Sequence, residues 1–132
     1  MAVEFADVEV ALVAYLKARM TARGDSAKVA TKRTTSSPDR LVRITRTGGA
    51  VEHRVSDLAT VTFECWDADD EGAANLARIV RAEVQALEGQ LVGGAYVDWR
   101  SEVSGPAYFP HPDTNLSRYQ LTESLAVVGR TV

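Results

Sequence analysis

The sequence has one cysteine, two histidines and no long apolar run, and each scarcity excludes a class of protein. A single cysteine, Cys65, cannot form a disulfide within the chain, so a disulfide-stapled secreted domain is excluded and a reducing compartment is expected. No apolar run approaches the roughly 20 residues of a membrane-spanning helix, and we expect no membrane partner. The first ten residues carry early acids and no basic segment, unlike a secretory signal. Residues 1–132 therefore predict a single globular domain.

Residues that carry catalysis or bind metals are equally scarce. His53 and His111 have no other ligand at metal-binding spacing, whereas a zinc site needs three or four convergent ligands. Cys65 alternates with outward-facing residues on a predicted strand, which indicates a buried hydrophobe rather than a nucleophile. The acidic run from Asp67 has Arg78 where a calcium loop needs its twelfth-position ligand. The sequence nominates no catalytic residue, metal site or cofactor, and we expect that the protein is not an enzyme.

Charge is distributed unevenly along the chain, although the formal net charge is only −3. Residues 17–54 contain ten Lys and Arg against three Asp and Glu, whereas residues 55–132 contain five against twelve. Opposite charge in two parts of a small chain favours contact with other copies or with a partner. Nucleic-acid binding through the arginines of 40–54 is an alternative, but the chain is net acidic and its aromatic residues are not interleaved with these arginines.

Periodicity predicts two amphipathic helices. Apolar residues recur at helical spacing over Val8–Met20, with Asp7 as the N-cap and Gly24 near the end. A second helix begins at the acidic run 67–71, because acids favour the N-terminal end of the helix dipole, and it ends before Gly89.

Alternating patterns predict the strands and the fold class. Gly48-Gly49 is interpreted as a turn, and 51–57 as a short return strand or a mobile arm. Residues 105–112 contain three prolines and predict an irregular loop. The order predicts an α+β fold, with a mostly antiparallel, mixed sheet of about four to five strands and two helices packed on one face. The predicted strands are 28–31, 41–47, 60–66, 95–104 and 118–128.

Helical spacing and strand alternation predict a common core made of Leu12, Leu16, Val61, Phe63, Leu76, Val80 and Leu121. Phe63 faces inward, whereas Trp66 shares the outward face of its strand. Val97, Trp99 and Val103 are assigned to one face of their strand. Glu123 interrupts the apolar face of the last strand, and two interpretations are open: a solvated residue at the rim of the sheet, or a salt bridge between subunits.

Three segments, in their order and spacing, resemble a known family. They are RLVRITRTGG, VSDLATVTFECWDADDEGAANLARIVRAEVQAL and VSGPAYFPHPDTNLSRYQLTESLAVVG, and the first-helix segment DVEVALVAYLKARM also fits. Together they resemble the tail terminator proteins of long-tailed, siphovirus-type phages of actinobacterial hosts, which are similar to the lambda-type tail terminator. The resemblance covers nearly the whole chain, and none of the segments is a catalytic signature.

The resemblance implies a virion protein with defined partners. A tail terminator is a small α+β subunit that forms a ring, often a hexamer, at the head-proximal end of the tail. The ring caps the tail tube, ends polymerisation of the tube protein, meets a head-completion or connector protein, and lets DNA pass through its lumen without specific binding. The alternatives are another neck or tail-completion protein, and a small ligand-binding or regulatory α+β domain.

Candidate contacts with another subunit or a partner follow from the charge pattern. A head-to-tail ring needs two complementary patches on one subunit. We expect Arg43 or Arg46, which alternation places on opposite faces, to contact the acids of a neighbour. We also expect Gly48–Asp57 to be mobile in the free subunit and to become ordered against a neighbour. The candidate residues are Arg43, Arg46, His53, Arg54, Asp67, Asp69, Asp70 and Glu123.

Overall fold

Two helices begin where the sequence predicts them. The computed structural model describes residues 2–131, in which α1 spans Val8–Arg23 and α2 spans Asp70–Gln85. The side chains of Asp7 and Asp69 accept hydrogen bonds from the backbone N–H groups three residues on, at 3.1 and 2.7 Å. Each satisfies an amide that the first turn of a helix leaves without a partner. In the described residues, neither helix has the length and apolarity to cross a membrane.

The described strands form a six-stranded sheet and a separate two-stranded sheet. The strands are β1 Val3–Glu4, β2 Lys28–Ala30, β3 Leu41–Glu52, β4 Ser56–Asp67, β5 Gln90–Val92, β6 Ala95–Tyr108, β7 Ser117–Val128 and β8 Arg130–Thr131. The main sheet has the order β2-β3-β4-β7-β6-β5, and only the pair β2–β3 is parallel. The α+β class and the mixed sheet agree with the prediction, with β5 as the added strand. β1 and β8 pair with each other.

A long hairpin of β3 and β4 corrects the predicted turn at Gly48-Gly49. The ladder continues past these glycines, and the chain reverses at 53–55. A β-bulge just before Gly48 accommodates the glycine pair. Gly49 has a φ of 95°, and a Cβ there would overlap the carbonyl oxygen of Leu58, so this glycine permits a close approach of two strands. Residues 51–57 are therefore the end of the hairpin and not a separate return strand.

β6 extends into the predicted loop and changes which side chains are exposed. Gly105 and Pro106 lie within this strand, although proline cannot donate a backbone hydrogen bond. The β6–β7 ladder shifts register at three places. Because each extra residue reverses the side-chain alternation, Trp99 and Val103 are 40% and 60% exposed, whereas Val97, which alternation predicts on the same face, is buried.

One apolar core lies between the helices and the sheet. Both helices cover the same sheet face, and the Tyr15 hydroxyl of α1 donates to the Glu83 carbonyl oxygen of α2 at 2.8 Å. Cys65 is fully buried in this core, as predicted. The predicted core residues Leu12, Leu16, Val61, Phe63, Leu76, Val80 and Leu121 are all buried in one cluster.

Candidate assembly surfaces

The basic and acidic parts of the chain pair with each other inside the subunit. Arg40 donates to Asp25 at 2.7 Å and to Asp67 at 2.8 Å. Arg46 makes two hydrogen bonds of 2.6 Å with the carboxylate of Asp57, which is itself buried. These bonds raise the pKa of both arginines, mainly through Asp25 and Asp57. Asp57 and Asp67 belong to the acidic part and Asp25 to the basic part, so the charge split of the sequence is used only in part by pairing within the fold.

The four basic candidates lie in three places. Arg43 is half-buried on the sheet face away from the helices, 3.5 Å from the Glu64 carboxylate. Arg46 lies on the other face, as alternation predicts, and is paired as described above. His53 and Arg54 are exposed at the tip of the β3–β4 hairpin, both with positive φ. A contact of any of these with a neighbouring subunit stays a prediction.

The three aspartates at the start of α2 each have a partner within the chain. Asp67 binds Arg40 and Asp69 caps the helix, while Asp70 accepts a hydrogen bond from the Ser117 hydroxyl. The acidic cluster therefore stabilises the start of α2 and its contact with the sheet. Its predicted role as a partner for a neighbour's arginines is untested.

Glu123 is fully buried, which contradicts the interpretation of a solvated residue at the sheet rim. Its Oε1 accepts a hydrogen bond from Arg100 of the same chain at 3.0 Å. Its Oε2 has no hydrogen-bond partner among the described atoms. A salt bridge from Glu123 to another subunit stays a prediction. Burial raises the pKa of Glu123, and Arg100 only partly offsets this.

Two long strands of the main sheet each have one edge that no other strand in residues 2–131 covers. β2 pairs only with 41–43 of β3, which leaves 44–52 uncovered on that side. β5 pairs only with 95–97 of β6, which leaves 98–108 uncovered on the opposite side of the sheet. We call these two segments the β3 edge and the β6 edge. Uncovered edges present backbone N–H and C=O groups that can pair with another strand.

A glutamate protects one amide on each edge. On the β3 edge, the backbone N–H of Arg46 donates to Glu9 at 2.8 Å. On the β6 edge, the backbone N–H of Arg100 donates to Glu88 at 3.3 Å. Each glutamate satisfies one amide, and no other strand in residues 2–131 pairs with the rest of either edge.

The two edges differ in their side chains. The β6 edge carries Trp99, Val103 and Tyr108, which are 40%, 60% and 50% exposed, and Phe109 follows at 50%. The β3 edge is mostly small and polar around Gly48-Gly49. Exposed aromatic and aliphatic groups concentrated on one strand mark an interaction surface. Sequence reasoning missed this surface, because the bulges that expose it depend on pairing with β7.

The histidines and the cysteine do not form a common site. Within the described chain, no three His, Cys, Asp or Glu side chains are arranged to hold a metal ion. His53 lies at the hairpin tip, and the His111 ring lies 5.6 Å from that of Trp66. Burial raises the pKa of the Cys65 thiol well above its ordinary value.

The fold is similar to that of a chain from the solved structure of a virion of a native gene transfer agent particle. The two share 12% identity with a TM-score of 0.65, over 92% of this chain and 95% of that chain. No protein-family model and no curated protein matches the sequence. At this identity the likeness establishes a shared fold over nearly the full length of both chains.

Proposed function

We propose that this protein is a structural subunit of a phage-like virion, without enzymatic activity or a cofactor. The fold likeness to a chain of a gene transfer agent virion supports this, since the likeness extends over almost the whole of both chains. The exposed β6 edge supports it independently, because such a strand suits a subunit that is covered by a neighbour after assembly.

The specific role that we propose is that of the tail terminator. In this role the protein forms a ring, hexameric by resemblance, at the head-proximal end of the tail. One face of the ring caps the tube protein and ends its polymerisation. The other face meets the head-completion or connector protein, and DNA passes through the lumen without specific binding. The sequence segments that resemble the tail terminator family carry this finer assignment.

The observation that carries the assembly is the pair of uncovered edges on opposite sides of one sheet. A ring built head to tail requires two different surfaces on each subunit. The β3 edge and the β6 edge differ in side chains and face away from each other across the sheet order. Backbone pairing of one edge with the other edge of the next subunit supplies affinity, and the exposed side chains of the β6 edge supply specificity. We expect each contact to bury on the order of 1,200–2,000 Å².

Mass measurement and negative-stain imaging of the purified protein at several concentrations test the ring. We expect uniform rings with a central hole at high concentration or when tail tubes are present. Monomers at low concentration are compatible with the proposal. In virions that contain the protein, antibody labelling should mark one end of the tail.

The proposal has two parts, a structural subunit of a virion and a tail terminator, and each can be contradicted separately. Absence of the protein from purified virions contradicts both parts. A single copy per tail, or rings elsewhere in the virion, contradicts the terminator role but leaves the structural role intact.

A further inference from the structure

The sheet face opposite the helices ends in a groove around Trp66. The groove has a volume of about 430 Å³ and lies where the loop before β3 and the loop before β7 approach each other. Trp66 is on the outward face of β4, as alternation predicts, yet only 3% of it is exposed. The guanidinium groups of Arg33 and Arg118 lie 4.9 and 5.0 Å from its ring centroid, and the His111 ring lies beside it at an angle of 41°.

Positive groups outnumber negative groups in direct contact within this groove. Arg33, Arg43 and Arg118 all line it. One carboxylate, that of Glu64, lies 3.5 Å from Arg43 and 3.1 Å from Arg118. Arg33 donates only to the Asp39 carbonyl oxygen, at 3.5 Å, and forms no ion pair within residues 2–131. Three guanidinium groups against one carboxylate leave an excess of two positive charges.

A buried donor without an acceptor lies in the same place. The indole Nε1 of Trp66 is buried and has no hydrogen-bond partner among the atoms that the structure describes. A buried indole N–H normally finds an acceptor, because leaving it without one costs free energy. A bound group that brings oxygen atoms into the groove would offset the excess of positive charge.

We propose that this groove binds an acidic segment of a partner protein, whose carboxylates contact Arg33, Arg43 and Arg118 beside Trp66. The planar guanidinium fork matches a carboxylate, and Glu64 already receives one contact from each of Arg43 and Arg118. A nucleic-acid backbone is disfavoured, because it needs a continuous basic stripe and the whole chain carries a net charge of −3. The inference does not depend on the tail terminator role.

Titration with a hexa-aspartate peptide tests the groove directly. The chain has two tryptophans, so Trp99→Phe leaves Trp66 as the only indole reporter. We expect a saturable change in Trp66 emission that weakens as salt is added, since exposed charges are screened. Arg33→Gln should weaken binding about tenfold, as expected for the loss of a charge-assisted hydrogen bond.

Matched variants distinguish a specific binding site from general charge attraction. Arg78→Gln removes the same charge from an exposed position on α2 and should leave the affinity unchanged within about twofold. Arg33→Lys keeps the charge but loses the fork, so it should recover only part of the affinity. Circular dichroism verifies that each variant is folded.

Three outcomes overturn the proposal. The first is no saturable change in Trp66 emission with the peptide. The second is equal weakening by Arg33→Gln and Arg78→Gln, since binding would then follow net charge alone. The third is binding of an oligothymidylate, dependent on Arg33, when the peptide does not bind, which would assign the groove to nucleic acid instead.

Discussion

The two faces of the main sheet differ in how deeply their side chains are buried. On the helix-covered face, Phe63 and Leu121 are fully buried, and even the charged Glu123 is enclosed with an arginine partner. On the open face, the hydroxyls of Thr62 and Thr122 meet at 3.1 Å and both residues stay partly exposed. The contrast indicates that the main core lies on one face, whereas the middle of the open face and the sheet edges are available for contacts with other proteins.

The largest effect on folding should come from truncating a side chain at the centre of the helix-covered face. Phe63→Ala should lower the free energy of unfolding by roughly 3–5 kcal/mol, because it removes a fully buried ring and leaves a cavity. Thr62→Ala, its neighbour on the open face, should cost less than about 1 kcal/mol. Urea unfolding measures both. A cost below about 0.5 kcal/mol for Phe63→Ala would contradict the assigned role of the covered face.

A smaller effect is expected in the hairpin that extends beyond the helices. Gly49→Ala should cost roughly 2 kcal/mol or more, because alanine is strained at positive φ and its Cβ would overlap a backbone carbonyl of β4. Gly48→Ala has open space around it and no positive φ, so it is the matched control and should change stability little. Equal unfolding free energies for the two variants would refute the bulge geometry described here.

Two buried carboxylates on the covered side should respond to pH with opposite sign. Burial raises the pKa of Glu83, but hydrogen bonds from Arg23 and Arg19 outweigh it, so the pKa is lowered from 4.5. Glu83 therefore contributes stability that is present above its unfolded pKa and lost as the pH falls through its folded pKa. For Glu123 the raised pKa means that its contribution is present below 4.5 and lost as the pH rises through its folded pKa.

Glu83→Gln and Glu123→Gln form the matched pair for this test. The destabilisation by Glu83→Gln should shrink as the pH is lowered through the acid range. Relative to the unmodified protein, Glu123→Gln should become more stable as the pH rises toward neutrality. Unfolding free energies measured across this range provide the comparison, and the same sign for both variants would contradict the assigned burial and pairing.

The smallest effect on folding is expected at the sheet edge. Val103→Lys should change the free energy of unfolding by less than about 0.5 kcal/mol, because Val103 is 60% exposed. It should nevertheless weaken ring formation, since an edge lysine opposes strand pairing. Val10→Lys, at a 63% exposed position on α1, is the control and should leave assembly intact. Sedimentation at matched concentrations distinguishes them, and equal assembly of both variants argues against the β6 edge.

Local signals in the sequence predict the helices and most of the covered face. Acids at Asp7 and the run 67–71 identify the helix starts because capping involves neighbours in sequence. The alternation of inward and outward side chains identifies Phe63 as a core residue, because its strand is regular. The errors have a different origin, because the bulges in β3 and β6 arise from pairing with another strand. Neither the continuation of β3 past Gly48-Gly49 nor the exposure of Val103 is therefore encoded locally.

The candidate site is less predictable than the fold. Glu123 has its partner Arg100 on an adjacent strand, and sequence alone gives no register for that pair. The predicted use of Arg46 at an interface overlooks Asp57, which β-hairpin geometry brings beside it. Short strands such as β5 and β8 exist because tertiary pairing stabilises them, since two or three residues carry no period of their own.

Crosslinking between the two edges tests the central claim most directly. Thr47→Cys on the β3 edge and Val103→Cys on the β6 edge add exposed thiols, while native Cys65 is fully buried. With a short bis-maleimide reagent, the double variant should give a ladder of covalent species that ends at the ring size. Each single variant alone should stay monomeric on a denaturing gel, because a head-to-tail contact joins unlike edges. Efficient dimers from Val103→Cys alone, with no ladder from the double variant, would show that like edges meet and would contradict head-to-tail assembly.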